Sequence, residues 1–187
     1  AFDRAIAKAP NYSPAHSGRA FALTIGSYWG DWLPREQAFA QANASIDEAL
    51  RLDPDNAEAF MVRGIIEATS LHIAAAKADF DRALALAPGN VDVINFYGDF
   101  LQFTADLRGS EAMKRKAIAL DPLAFIHPIN LGQTLLAQGR AVEALQMTQR
   151  GVAIGEAAGA TSLWGNLLQM EIRSGQAQDA QRVWDAN

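Results

Sequence analysis

Apolar residues recur every three to four positions through most of the chain, which is the spacing of one face of an α-helix. Turn residues interrupt this pattern at regular intervals. Pro54, Pro88 and Pro122 follow one another at intervals of 34 residues, and two amphipathic segments lie between consecutive prolines. A fixed period of this length with two helices per unit predicts an all-α array of antiparallel helix pairs.

Small residues occupy the same two places in each period when the units are aligned on their closing prolines. Two helices that cross closely leave no room for a large side chain, so these places predict where the helices of each pair meet. They are Ala20, Gly64, Gly98 and Gly132 in the first helix of a pair, and Ala49, Ala83 and Ala117 in the second.

The 34-residue spacing and the small residues resemble those of the tetratricopeptide-repeat (TPR) family, and the resemblance covers nearly the whole chain. It implies an antiparallel helix-pair solenoid with a right-handed superhelix, of about eleven helices. Members of this family are interaction scaffolds. The resemblance therefore implies a non-enzymatic protein–protein interaction module that binds a peptide or protein segment in its concave groove.

Two further features resemble a particular bacterial TPR block. Helices end in Leu-Asp-Pro at 52–54 and again at 120–122, and a long aromatic insertion ends in Leu33-Pro34. Similar repeats form the C-terminal part of class III nucleotide cyclases and of winged-helix transcriptional regulators. This resemblance implies a module of a larger bacterial regulatory protein. The alternative is a self-association (dimerisation) module of such a cyclase or regulator.

The pattern predicts one array over residues 1–187, excised from a longer protein. Phe2 and Ile6 at one end, like Val183 and Trp184 at the other, are expected to be less buried than their equivalents in the middle units, or to be covered by another copy of the chain. The predicted units are a partial repeat at 1–10, a repeat at 13–56 with the aromatic insertion near 24–36, repeats at 57–90, 91–124 and 125–160, and a partial repeat at 161–187.

The insertion is predicted to be a loop around residues 26–34, and it carries three large aromatic residues, Tyr28, Trp29 and Trp32. In one interpretation their rings fold back over the groove between neighbouring helices. In the other they form an exposed anchor for a partner, because Trp and Tyr dominate the energetics of protein interfaces. The sequence leaves both interpretations open.

Charge and composition narrow the class of partner. The net charge is −5, which argues against a nucleic-acid surface, and the absence of cysteine excludes disulfides and thiolate metal sites. We interpret the densest basic run, Lys114 to Lys116, as a solvated helix face. No run approaches the ~18 apolar residues of a membrane span, and we expect a cytoplasmic location.

Nothing in the sequence indicates catalysis, a cofactor or a bound metal. His16, His72 and His127 lie far apart without the spacing of a zinc site. Carboxylate pairs such as Asp79 with Asp81 are expected to face outward into water. We therefore expect a protein that is not an enzyme.

The most informative surface is predicted on the concave side, which the first helices of the pairs line in TPR arrays. Primary amides both donate and accept hydrogen bonds, so an amide-lined groove can pair with a peptide backbone. The alternative is a solvated groove that happens to be rich in Asn and Gln. The basic side chains with which some TPR proteins hold a carboxylate are replaced here by Glu58, Met61 and Ile65. The predicted partner-binding residues are Asn95, Phe96, Asp99, Gln102, Asn130, Gln133, Asn166, Gln169 and Arg173.

Overall fold

The computed structural model describes residues 1–29, 33–160 and 163–175, and regular structure in these ranges is helical throughout. Ten α-helices and no strand occur in them, which confirms the all-α prediction. The eleventh predicted helix lies outside the described residues, as do Trp32, Val183, Trp184 and the side chains of Trp29 and Trp164. The helices are α1 (Phe2–Lys8), α2 (Ser13–Trp29), α3 (Arg35–Leu52), α4 (Ala57–Thr69), α5 (Ile73–Leu86), α6 (Val91–Phe103), α7 (Leu107–Leu120), α8 (Ile126–Ala137), α9 (Ala141–Ala157) and α10 (Trp164–Arg173).

The chain divides into two compact units, which we call the N-terminal unit (residues 1–96) and the C-terminal unit (residues 97–187). The boundary between them falls within α6. Ile46, Val62 and Phe80 belong to the core of the N-terminal unit. In the C-terminal unit, α8, α9 and α10 share a core of buried side chains, which are Leu131, Leu135, Ala144 and Met170.

The three glycines of the first helices, Gly64, Gly98 and Gly132, lie at close helix crossings, as the sequence predicts. A Cβ added to Gly64 would lie 3.0 Å from the ring of Phe80, and one added to Gly98 would lie 3.2 Å from Cγ of Lys114. The crossing at Gly132 is the tightest of the three, because a Cβ added there would lie 2.8 Å from the backbone carbonyl oxygen of Ala144. Real Cβ atoms essentially never approach a neighbour within 3.0 Å, so the crossing at Gly132 requires glycine, whereas at Gly64 and Gly98 the neighbouring side chain would have to shift by a few tenths of an ångström.

The turns inside three successive pairs each contain one residue with positive φ. Leu71 and Ala105 have φ of 63° and 65°, and Gly139 has φ of 79°. The three positions are 34 residues apart, so the turn repeats with the array. Only glycine adopts positive φ without strain, and two of these turns carry a side chain nonetheless.

Replacing Gly139 with alanine is expected to lower the free energy of unfolding by about 1 kcal/mol, because a Cβ is strained at positive φ. The space around Gly139 is open, so the loss would come from the backbone alone. The reverse change, Leu71→Gly, should leave the free energy of unfolding unchanged or raise it, since Leu71 is exposed. Chemical denaturation measures both variants. A Gly139→Ala protein as stable as the original chain would contradict this account of the turn.

The N-terminal end is less buried than the middle of the array. Phe2 is 38% exposed, whereas Phe80, the equivalent residue of the unit at 57–90, is 1% exposed. No residue of α1 is buried. The prediction is confirmed for Phe2, whereas Ile6 is partly exposed, as is its equivalent Leu84. The same prediction for Val183 and Trp184 lies outside the described residues.

Helix α2 extends further than predicted. We expected a loop from Gly26, but α2 continues through Gly26 to Trp29. Ser13 is the first residue of α2. Its hydroxyl donates a hydrogen bond to the carbonyl oxygen of Ala49 at 2.9 Å and accepts one from the amide of Asn56. Asn56 caps α4, because its side-chain oxygen accepts from the backbone N–H of Ala59.

Candidate functional site

Seven of the predicted partner-binding residues lie in the C-terminal unit, on the first helices α6, α8 and α10. They follow helical spacing on each helix, so those of one helix share a face. None is buried: Gln169 and Arg173 are exposed, and the others are partly exposed. We call this set the inner strip: Asp99, Gln102, Asn130, Gln133, Asn166, Gln169 and Arg173.

A hydrogen-bond chain joins the α6 and α8 parts of the inner strip. The hydroxyl of Thr134, which follows Gln133, lies 2.6 Å from Oε1 of Gln102 and 3.0 Å from the hydroxyl of Ser110. Thr134 and Ser110 are fully buried. Because the carbonyl oxygen of Gln102 is held by Thr134, its NH₂ group remains for another acceptor.

The α10 part of the inner strip is positioned by Met170. This side chain is buried against Leu131 and Leu135 of α8, and its Cε would lie 3.4 Å from a Cβ at Gly132. Gln169, the residue before Met170, is exposed. The packing therefore sets α10 beside α8 and leaves amide side chains of both helices accessible.

Asn95 and Phe96, the other two predicted residues, lie in the N-terminal unit and are placed differently. Asn95 is only 7% exposed, so it has little surface to offer a partner. The ring of Phe96 packs edge to face on Phe21, with the ring centroids 5.6 Å apart. Met61 and Ile65, at the inner positions of α4, are also buried. In this unit the predicted inner residues act mainly in packing.

Lys114 contradicts our interpretation of the basic run as a solvated face. Its side chain is 0% exposed, and its ammonium donates a hydrogen bond to Oδ1 of Asp99 on the inner strip. The side chain of Asp99 is 45% exposed. Arg115 and Lys116 do face solvent. The basic run therefore has one buried residue and two exposed ones. Lys114 is buried because it occupies the core position that Phe80 fills in the preceding unit.

Asp79 is a second correction, since it does not face water with Asp81. It is buried, and its two carboxylate oxygens accept hydrogen bonds from Arg63 at 2.8 and 2.7 Å. This carboxylate raises the pKa of Arg63. Asp81 lies on the opposite side of α5, where it forms an exposed ion pair with Lys77. Only Asp81 behaves as the sequence predicts.

A network around Glu111 fastens α7 to the start of α9. Its carboxylate accepts hydrogen bonds from the guanidinium groups of Arg115 and Arg140 and from the amide of Gln138. These donors, Arg115 first, lower the pKa of Glu111 from 4.5 to about 2. Glu111 is 18% exposed, so water screens the network only in part.

Changing Glu111 to glutamine is expected to lower the free energy of unfolding by roughly 1–3 kcal/mol at neutral pH. A carboxylate whose pKa is lowered by folding contributes stability that is complete above pH 4.5 and lost as the pH falls toward 2. The original chain should therefore lose more stability than Glu111→Gln over that range. Urea unfolding across this pH window measures the difference, and parallel curves for the two proteins would contradict it.

Tyr28 is the one aromatic residue of the insertion whose side chain is described. Its hydroxyl lies 2.6 Å from the hydroxyl of Thr69 at the end of α4, and the guanidinium carbon of Arg35 lies 5.3 Å from its ring centroid. The residue is nevertheless 42% exposed. Tyr28 is thus both tied to α4 and open to solvent, and its role as an anchor stays a prediction.

Within the described residues, no three His, Cys, Asp or Glu side chains are grouped so that they could hold a metal ion. His16 and His72 are engaged separately, His16 with the carbonyl oxygen of Pro10 and His72 with Glu67. Among the described residues, each helix is too short or too polar to span a lipid bilayer.

No protein-family model and no curated protein sequence matches the chain, but solved structures do. PilW, described as a widely conserved type IV pilus biogenesis factor, is 28% identical over 90% of this chain and 74% of its own, with a TM-score of 0.71. PilF of Pseudomonas aeruginosa is 19% identical over 92% of this chain and 75% of its own, also at 0.71. YrrB, described as a TPR protein with an unusual peptide-binding site, is 20% identical over 99% of this chain and 89% of its own, at 0.57.

Proposed function

We propose that this chain, which is a tetratricopeptide-repeat solenoid, binds a peptide or protein segment along the inner strip of its C-terminal unit. The fold is that of a protein–protein interaction scaffold. To this fold we add three proposals. The partner binds at the inner strip, the chain has no enzymatic activity, and the partner is a protein and not a nucleic acid. A net charge of −5 supports the choice of a protein partner.

One observation carries the proposal: a row of five accessible amide side chains follows three packed helices. Four of them are partly exposed and Gln169 is exposed, and the hydrogen bond from Thr134 fixes the orientation of one of them, Gln102. An amide held in this way presents its NH₂ group without losing further rotamer freedom on binding. Amides that both donate and accept suit the alternating N–H and C=O groups of a peptide backbone. The five residues are Gln102, Asn130, Gln133, Asn166 and Gln169.

The two units differ in a way that favours the C-terminal unit as the binding site. In the N-terminal unit the corresponding positions are filled by packing, as the Phe21–Phe96 ring pair and the burial of Asn95 show. YrrB, which has a similar fold, has a peptide-binding site, and this supports peptide binding as the general mode. The Leu-Asp-Pro helix ends further favour a parent protein of the bacterial regulatory class.

The test is a selection of random displayed peptides on the immobilised chain, followed by binding measurements with the recovered peptides. We expect peptides that bind saturably and compete with one another for a single site. Light scattering of the chain without peptide is the companion measurement. If no peptide is enriched over the bare surface and the chain is a concentration-dependent dimer, the self-association alternative replaces peptide binding.

A further inference from the structure

Lys114 occupies a place where packing alone calls for an apolar side chain. It stands 34 residues after Phe80 and covers Gly98 as Phe80 covers Gly64. Both side chains are almost completely buried. Removing an ammonium group from water is costly, and a well-packed apolar residue often serves stability equally well or better. The lysine is therefore not explained by the crossing that it fills.

The ammonium group of Lys114 lies at the inner strip. Its stem runs under Gly98, with Cγ and Cε 3.2 and 3.5 Å from the place of a Cβ there, and its ammonium meets Oδ1 of Asp99. Asp99 lies one turn before Gln102 on α6 and keeps 45% of its side chain exposed. A buried cation from the second helix of the pair thus fixes a carboxylate on the first.

The ion pair makes the α6 end of the strip nearly neutral. A lone carboxylate in this position would attract the Lys and Arg side chains of a partner. With Lys114 beside it, Asp99 is a charge-compensated acceptor whose second oxygen can accept a backbone N–H. The neighbouring strip residues Gln102 and Asn130 are uncharged amides, which interact with a backbone in the same way.

Resting on the proposed function, we propose that Lys114 determines specificity: it compensates Asp99, so that the inner strip binds peptide backbone and does not select basic side chains. Lys114 itself touches no partner in this arrangement. It is a positioning residue that acts through Asp99.

The experiment repeats the random-peptide selection on three proteins: the original chain, Lys114→Met, and Lys114→Met combined with Asp99→Asn. The frequency of Lys and Arg among the enriched peptides is counted in each. The original chain should show no excess over the unselected library. Lys114→Met should enrich basic peptides and bind them roughly fivefold tighter than the original chain does, an advantage that salt removes. The double variant is the matched control and should lose the basic preference.

The three outcomes below decide whether Lys114 determines specificity. A basic preference that appears with Lys114→Met and disappears in the double variant supports the inference. A basic preference already present in the original chain, or none in Lys114→Met, overturns it while leaving peptide binding intact. Peptide enrichment on none of the three proteins removes the proposed function and this inference with it. Lys114→Phe, which places the residue of the preceding unit at this crossing, replaces Lys114→Met if that variant does not fold.

Discussion

Replacing Gly132 with leucine is expected to destabilise the C-terminal unit by about 3 kcal/mol or more. A Cβ at this position would lie 2.5 Å from the hydroxyl of Thr148 and 2.8 Å from the carbonyl oxygen of Ala144. The second contact is with backbone, which cannot rotate away as a side chain can, so α9 would have to move from α8. Overpacking typically costs about 1–3 kcal/mol, and the larger branched side chain places the expected loss at the upper end.

Circular dichroism during heating measures this effect. A loss of that size lowers the unfolding midpoint of a chain of this length by roughly 6–12 °C. The matched control is Gly165→Ala on α10, where nothing lies within 4 Å of an added Cβ. The control should gain up to ~1 kcal/mol from helix propensity. A Gly132→Leu melt equal to that of the original chain would show that α8 and α9 do not cross closely at this position.

The largest functional effect is expected from three substitutions made together on the inner strip: Asn130→Ala, Gln133→Ala and Asn166→Ala. One amide hydrogen bond contributes about 0.5–1.5 kcal/mol, so a single change could be hard to detect. Three together should weaken peptide binding by roughly tenfold to a thousandfold. Fluorescence anisotropy with a labelled peptide from the selection gives the dissociation constant.

The matched control removes three polar side chains from the exposed face of α9 in the same unit. Gln146, Gln149 and Arg150 are all exposed and lie within one turn of each other. Their triple alanine variant should bind the peptide as the original chain does, and both triple variants should retain the original melting curve. Weaker binding by the α9 variant with normal binding by the strip variant would place the partner on the outer helices.

The fold could be predicted because its determinants repeat in the sequence. The glycines at 64, 98 and 132 recur with the prolines, and the structure places each at a close crossing. The extension of α2 could not be predicted in the same way. A glycine inside a helix costs only about 1 kcal/mol, and the hydroxyl of Ser27 bonds to the carbonyl oxygen of Thr24 within the helix. Gly26 therefore lies inside α2 and does not end the helix.

The polar residues were harder to assign than the apolar ones. Lys114 looks like part of a solvated basic run, although its alignment with Phe80 was a usable sign of burial. Asp79 and Asp81 point to opposite sides of α5, because residues two apart on a helix do not share a face. The packing of Phe96 depends on Phe21, which is 75 residues away. No local pattern of the sequence contains such a contact.

Side-chain amide resonances test the central claim most directly. In a ¹⁵N-labelled chain, each Asn and Gln NH₂ group gives its own pair of NMR signals, and a selected peptide can be titrated against them. We predict that the signals of Gln102, Asn130, Gln133, Asn166 and Gln169 shift together as the peptide binds, while those of Gln146 and Gln149 stay in place. Shifts at Gln146 and Gln149 with none on the inner strip would contradict the site.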